Sequence, residues 1–493
     1  MKKIDEILAI PNIYEKIGKL KLGRGYRREP DTLENMKNWF VEGHKIKDKN
    51  LFPDRTIVTK KGKQITDSRT GKSYTEDDET KTEAANRIAI PAEQDIVNIQ
   101  TAFGVGLEPL LNCNTEDDME KRVLNVLKYT LKKNRCKFNN KKEMRSWLSE
   151  QEVAEYWYAA PDTDGFWTKA DKDGNNKKPS YRLKCAIWSP FRGDKLYPFF
   201  EGDDMTGFLR EYKKSNDGLS FITCYMLITE DYVYNWDMGT QTETKFKHGF
   251  SKMPVIYTYR HKPYCHNITD MRERLEKTLS SYGDCIDYHF FPYLLLKGDV
   301  LDAQGDLKNH VINMQGEGAS ATYLTWDQVP DTVKFEVDTY LNQIYALTHT
   351  PRISFDNLKG IGAISGISFK FYFMDAHMQE SNNEEDFGEF LQRRLSFLTA
   401  ATGDINASLY APSRTIDVDT EMVPYMIDSV SDKVTTALAA TGGKAIWSRK
   451  HGMVFAGQID HVDEELKEIE SEDKSSEPTK VDTLQQKEPQ NVQ

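Results

Sequence analysis

The stretch Ser365–Gly403, SGISFKFYFMDAHMQESNNEEDFGEFLQRRLSFLTAATG, decides how this chain is read. Ile367, Phe371, Met374 and Met378 lead towards Phe387, Phe390, Leu391, Leu395 and Leu398. Apolar residues at such spacing predict one face of a helix. Unbroken, that helix runs roughly 36 residues, or about 54 Å. Globular helices are usually far shorter. Gly388 or Asn382 offers a place to kink it. A helix this long needs a neighbour along its length to bury its apolar face.

Upstream lies a Gly-bearing loop, Pro351 to Ser365. Before it, Val333, Val337, Leu341, Ile344 and Leu347 mark an amphipathic helix, with Asp331 at its start and Pro351 as its stop. An earlier helix carries Met271, Leu275, Leu279, Tyr282 and Ile286, with Asp270 and Glu273 as a capping pair. Between the two helices, Gly298 to Val329 is a short mixed segment. Further upstream the period changes to that of strands. Runs at 153–158, 181–188, 221–228 and 255–259 predict a β-rich domain over about 153 to 262. Asp-Gly pairs at 164–165, 173–174 and 217–218 punctuate it as turns. Helices are expected after Pro91 and, as a pair, over Asp117 to Glu150. The first 85 residues read as an arm or loosely packed subdomain, with a basic stretch from Lys45 to Lys63. Downstream, helices are expected near 425–440 and 459–473, the first ended by Gly442-Gly443. The polar, Pro-containing tail after Glu470 is expected to be disordered.

With 493 residues the chain is long enough for about three domains. Lys plus Arg number 66 and Asp plus Glu 77, a net charge of −11. That balance excludes a tight, sequence-reading nucleic-acid binder and disfavours anionic membranes. Apolar residues make up 38%, slightly lean for a compact globule, while 11% aromatics is too many for a disordered chain. No stretch approaches the roughly 20 apolar residues of a membrane span. No apolar segment follows Lys2 and Lys3, so no secretory signal is expected. Six cysteines without metal-like spacing suggest a reduced, cytosolic protein.

Catalytic motifs fail one by one. Gly71-Lys72-Ser73 has Thr66 where a P-loop needs its first Gly. Gly104-Val-Gly106 and Gly360-Ile-Gly362 have Pro109 and Ser365 where a dinucleotide fingerprint needs a third small residue. Asp171-Lys-Asp173-Gly-Asn175 lacks the Gly and Glu of a calcium loop, with Asn176 and Arg182 at those positions. Cys285 and His289 share a helical face but are too few for zinc. The reading assigns no catalytic residue, no metal and no cofactor.

Four stretches, in order, resemble the portal proteins (head–tail connectors) of tailed bacteriophages, the siphophage class in particular. Asn86-Arg-Ile-Ala-Ile-Pro91 through Gly104-Val-Gly-Leu-Glu-Pro109 is similar to that family's early helix and turn. Asp284 to Gly298 resembles the helix descending into its clip. Ser365 to Phe371 resembles the start of its long helix. Gly442 to Ser448, through Asp463-Glu-Glu465, resembles its crown.

The resemblance implies an α+β portal fold with a β-rich wing, a two-helix stem, a small α/β clip, a long spine helix and a helical crown. It divides the chain into an N-terminal arm or peripheral wing region (1–85), wing (86–266), stem helix (267–298), clip (299–329), second stem helix (330–350), tunnel loop (351–366), long helix and wing return (367–424), crown (425–473) and tail (474–493). It also implies a ring, usually dodecameric, in the virion, assembled in the host cytoplasm. Its partners would be copies of itself, the large terminase subunit, major capsid and scaffold proteins, and head-completion and tail proteins, with no membrane. Double-stranded DNA would pass through transiently. Arg352 and Lys359 would then meet passing phosphates, and Gly360, Gly362 and Gly366 would let the loop change shape. The competing classes are another virion or scaffold protein without a channel, and an enzyme whose site is assembled from scattered residues.

Overall fold

Both periodicities shape the folded chain. The computed structural model describes residues 3–476 apart from 61, 63, 67–72, 76, 173, 175–177, 216–217, 219, 290–293, 307–308, 324–329, 353–370, 426–429, 443–444 and 458–461. The chain divides into two compact units, Met1–Asn357 with Phe373–Tyr425, and Leu358–Tyr372 with Met426–Gln493. The architecture is α+β.

In the first unit, α1 (Lys3–Leu8), α2 (Ile13–Lys21) and α3 (Thr32–Trp39) occupy the region expected to be a loose arm. That expectation is corrected. Ile4, Ile17 and Leu20 are buried in one cluster with Tyr197, Leu209, Leu227 and Trp236. Their partner surface lies nearly 200 residues away, so no local pattern revealed it. In the basic stretch, exposed Lys45 pairs with Glu273 at 2.9 Å on the surface. Strand β1 (Arg55–Lys60) pairs with β4 (Glu79–Glu83), and β2 (Gln64–Thr66) with β3 (Ser73–Thr75).

Next come α4 (Ala92–Val105), β5 (Leu110–Asn112), α5 (Asp118–Lys133) and α6 (Cys136–Glu150), the helices where the sequence places them. Asp117 caps α5, accepting from the Met119 and Glu120 amides. The β-rich region holds β6 (Glu152–Pro161), a short α7 (Phe166–Ala170), β7 (Tyr181–Trp188), β8 (Lys195–Glu201), β9 (Asp204–Ser215), β10 (Phe221–Thr229), β11 (Tyr232–Asp237), β12 (Thr242–Lys247) and β13 (Val255–Tyr259). They form a three-stranded sheet, β13-β6-β7, and a five-stranded sheet, β12-β11-β10-β9-β8. The sequence marks β6, β7, β10 and β13. It misses β12 because every residue there is exposed and no apolar alternation can arise. Gly218, at φ 80°, lies between β9 and β10 as its Asp-Gly pair predicts.

Helix α8 (Thr269–His289) then gives way to a hairpin, β14 (Leu294–Asp306) and β15 (Asn309–Tyr323). The expected helix to 298 is thus too long. An apolar run such as Tyr293-Leu-Leu-Leu fits a strand as well as a helix, and Pro292 lacks the N–H that a continuing helix needs. The described part of 299–329 is this hairpin. Helix α9 (Pro330–Leu347) follows.

The decisive stretch folds as α10 (Met374–Asn383), a π-turn at Glu384–Gly388, and α11 (Glu389–Ile405). The backbone stays right-handed helical across both junctions. The interruption expected at Gly388 or Asn382 is a one-turn widening that ends on Gly388. Phe387, Phe390, Leu391, Leu395 and Leu398 are buried with Trp147 of α6, Trp157 of β6 and Ile256 of β13. The neighbour α11 needs is therefore its own chain. Helix α12 (Pro412–Thr415) and β16 (Asp419–Glu421), paired with β5, complete this unit.

The second unit contains α13 (Val430–Thr441), α14 (Arg449–Ala456) and α15 (Val462–Ser476). Three helices replace the two expected. Ser448 caps α14, accepting from the His451 amide, a signal the apolar spacing does not show. Helix α15 runs past Glu470, and residues beyond 476 lie outside the described part.

Buried charge fixes these layers against each other. Arg394 of α11 is 3% exposed. Its Nε donates to Glu155 of β6 at 2.9 Å, its Nη1 to Asn140 at 2.7 Å and its Nη2 to Glu143 of α6 at 2.7 Å. Trp157 Nε1 also donates to Glu155, at 2.9 Å. Burial, and then the nearby Glu155, push the Glu143 carboxyl well above its ordinary range. The cluster thus sets one guanidinium against two acidic side chains, with Glu143 biased towards its uncharged form. Replacing Arg394 with Met would leave two acids buried without a cation. Such losses destabilise by about 3–5 kcal/mol. Arg394→Met is expected to lower the denaturant midpoint accordingly, and adding Glu143→Gln with Glu155→Gln to restore most of it. A single variant as stable as the parent would contradict this.

Candidate functional site: the loop at 351–366 and its anchors

Five residues were singled out for this loop. Arg352 is half-buried, and its Nη1 donates to Asn342 Oδ1 of α9 at 3.3 Å. Lys359, Gly360, Gly362 and Gly366 lie outside the described residues. The structure does place what holds the two ends of their segment.

The first end is pinned by Gln100, fully buried on α4. Its Nε2 donates to Thr350 Oγ1 at 2.9 Å and to the Thr348 and His349 carbonyls at 3.3 Å each. The Tyr264 hydroxyl donates to the Thr348 carbonyl at 2.6 Å. His349 takes φ 46°, a left-handed conformation unfavourable outside Gly. Tyr345 donates to Asp95 at 2.6 Å, and burial together with Asp95 raises its hydroxyl above the ordinary range. It therefore stays protonated and able to donate.

The second end is held by stacking. Phe373 lies parallel to Phe103 of α4 at 6.0 Å, and His377 meets the same ring edge-on at 5.0 Å. Gln100 and Phe103 are three residues apart and share one helical face. One turn of α4 therefore holds both ends of the 353–370 segment.

Below the second end, Glu380 is 3% exposed. A Cβ on residue 104 would sit 2.5 Å from its Oε2, so Gly104 is what allows this close approach. That is the physical use of a glycine the dinucleotide test rejected. Burial pushes the Glu380 carboxyl up to about 7, with Asn383 opposing and Glu384 adding to the rise.

Gln100, Phe103, Tyr264 and Phe373 went unremarked in the sequence. A lone Gln on an amphipathic helix carries no signal of its partners. A second cluster, Glu143, Glu155 and Cys185, brings three metal-capable groups within 4.8 Å of one another. Arg394 already engages both carboxyl groups, and burial holds the Cys185 thiol protonated by raising its pKa. The trio reads as an ion-pair lock and not as a metal centre. Of the other candidate pair, Cys285 is half-buried and the His289 side chain lies outside the described part.

The family described as phage portal protein, SPP1 Gp6-like, matches residues 21–479, and the chain belongs to that family. Two solved structures are similar to it. One is the neck of an empty gene transfer agent (GTA) particle computed with C6 symmetry, at 10% identity and a TM-score of 0.36. The other is the virion of a native gene transfer agent particle, at 11% identity and a TM-score of 0.36. In each, the match covers 74% of this chain and 88% of the other. No curated protein sequence matches it significantly.

Two measurements test the anchors. Gln100→Ala, or Phe103→Ala, is expected to speed limited proteolysis within 351–372 several-fold, since a lost buried hydrogen bond costs about 1–3 kcal/mol. An unchanged cleavage pattern in both variants would sink the anchoring role. For Glu380, the folded pKa of about 7 exceeds the ordinary 4.5. The group costs nothing below about 4.5, progressively more as pH rises to about 7, and its full amount above that. Glu380→Gln should therefore gain about 3 kcal/mol above pH 7 and nothing near pH 4. A gain that does not change with pH would refute the assignment.

Proposed function

We propose that this protein forms the ring at the capsid portal vertex through which double-stranded DNA is packaged and later leaves. The terminase motor docks on it, and head-completion and tail proteins attach to it afterwards. The observation that carries this reading is a family match spanning residues 21–479, nearly the whole chain. By chain order, 86–266 serves as the wing, α8 and α9 as the stem, the β14–β15 hairpin as the clip, the 351–366 loop as the tunnel loop, and the second unit's helices as the crown.

Surface chemistry supports assembly. Phe335 of α9 is 73% exposed, and Met374 and Met378 of α10 are 51% and 62% exposed. Large apolar side chains on stem and spine suit burial against identical neighbours. The chemistry asked of the chain is mechanical, so ATP hydrolysis belongs to the motor.

Electron microscopy of purified protein is expected to show closed rings with a channel wider than a duplex, roughly 20 Å across. Only monomers over a wide range of concentration and salt would overturn the reading. The double variant Arg352→Glu with Lys359→Glu is expected to keep rings intact while reducing DNA packaging. Normal yield and normal packaged length would refute the tunnel-loop assignment.

A further inference from the structure

The buried arginines of this fold follow a rule. Arg24, Arg182, Arg272 and Arg394 are each 8% exposed or less. Arg24 meets Glu152 at 2.6 Å, Arg182 meets Asp164 at 3.0 Å, Arg272 meets Glu93 at 2.9 Å, and Arg394 meets Glu155 at 2.7 Å. Every one has a carboxylate. This is what burying a cation requires.

Arg260, at the C-terminal end of β13, breaks the rule. It is partly buried, and burial lowers its pKa from the ordinary range, against the opposing pull of Tyr264 and Asp386. It lies over the Trp147 ring at 4.4 Å and the Tyr264 ring at 5.5 Å. Its side-chain hydrogen bond is a long one, from Nη1 to Asn383 Oδ1 at 3.4 Å. No carboxylate among the described residues lies within 4.0 Å of it. A guanidinium offers five N–H donors in a fixed fork. Among the described residues Asn383 is the acceptor within hydrogen-bond reach of that fork, and Asp386 acts on it from beyond 4.0 Å.

Arg260 also lines a cavity of about 680 Å³. Arg27, Lys262 and Arg393 line it as well, so four cations face the three carboxylates of Asp203, Asp386 and Glu389. Glu389 is already paired with Arg393. Lys262 Nζ lies 2.6 Å from His266 Nε2, which accepts its hydrogen bond at the cavity rim. A cationic surplus in one cavity of a chain with net charge −11 is a local feature that the overall composition does not predict.

We infer that this cavity binds a small tetrahedral oxyanion of the phosphate class, with Arg260 as the principal ligand and Lys262 at the exposed rim. The planar fork matches such an anion through two parallel hydrogen bonds. The ring faces of Trp147 and Tyr264 hold the guanidinium in place before the ligand arrives. The site also touches the spine. Asn383, which accepts from Arg260, is the last residue of α10 before the π-turn. Asp386 and Glu389, on and just after that turn, line the same cavity. An anion on Arg260 would therefore bear directly on the widened turn of the long helix.

The test is thermal melting of the full-length protein against inorganic phosphate, with sodium chloride at matched ionic strength as reference. The melting temperature is expected to rise with phosphate beyond the chloride control. Arg260→Met should raise the half-effective phosphate concentration about tenfold or more, the scale of one lost charge-assisted hydrogen bond. Lys262→Gln, at an exposed position, should raise it about threefold without altering the fold. Absence of a phosphate-specific rise in the parent would overturn the proposal. So would a normal response in folded Arg260→Met. Should Arg260→Met fail to fold, an unchanged midpoint in Lys262→Gln overturns it. Acetate acting as strongly as phosphate would assign the site to carboxylates and overturn the phosphate class.

Discussion

The first unit is organised around one guanidinium. Arg394 reaches from the long helix to α6 and β6 at once. Neither of those elements can shift relative to the helix without stranding a buried acid. Apolar packing around Phe387, Phe390 and Trp147 supplies the driving force, but it would tolerate sliding. The ion cluster permits one register. Glu143 and Glu155 would repel each other as carboxylates, and the rise in the Glu143 pKa removes that conflict. What looks by composition like a metal site is thus the fastening of the helix to the sheet.

With the spine fixed there, α4 can act as a clamp for the segment before it. Gln100 holds the descending end through three acceptors, and Phe103 holds the ascending end through Phe373 and His377. Both anchors therefore rest on one turn of the same core helix. Glu380 sits beneath the same clamp, close against Gly104. Its protonation state therefore touches the clamp directly, through the one position of α4 that has no side chain.

The elements legible in the sequence were those whose apolar residues keep a regular period against a nearby partner. Helices α5, α6 and α9 and strands β7 and β10 fall in this group. Those that failed did so for definable reasons. Strand β12 has no buried face, α1 and α2 bury theirs against a sheet far along the chain, and Tyr293-Leu-Leu-Leu carries no period at all. The site was legible only as a loop between two helices, with Arg352 and the glycines as candidates. Its anchors were not, because Gln100 acquires meaning only from acceptors 248 to 250 residues away. Likewise Arg394 and Glu143 look like ordinary surface charge on amphipathic helices. Their burial is a property of the assembled layers.

The charge distribution joins these observations to the proposed channel. The net charge is −11, yet the most buried arginines are all engaged by internal carboxylates. Cations that hold the fold together cannot also grip a phosphate backbone. A subunit built this way presents an acidic balance to its surroundings, and a ring multiplies it. A duplex in such a channel is repelled from the walls and meets cations only where loops carry them. In the proposed channel DNA would pass without being held, and an acidic fold that turns Arg24, Arg182, Arg272 and Arg394 inward suits that condition. Arg260 marks the limit of the argument. Its cation has no carboxylate within 4.0 Å among the described residues and lines a cavity of about 680 Å³, a size that suits a small anion and not a duplex.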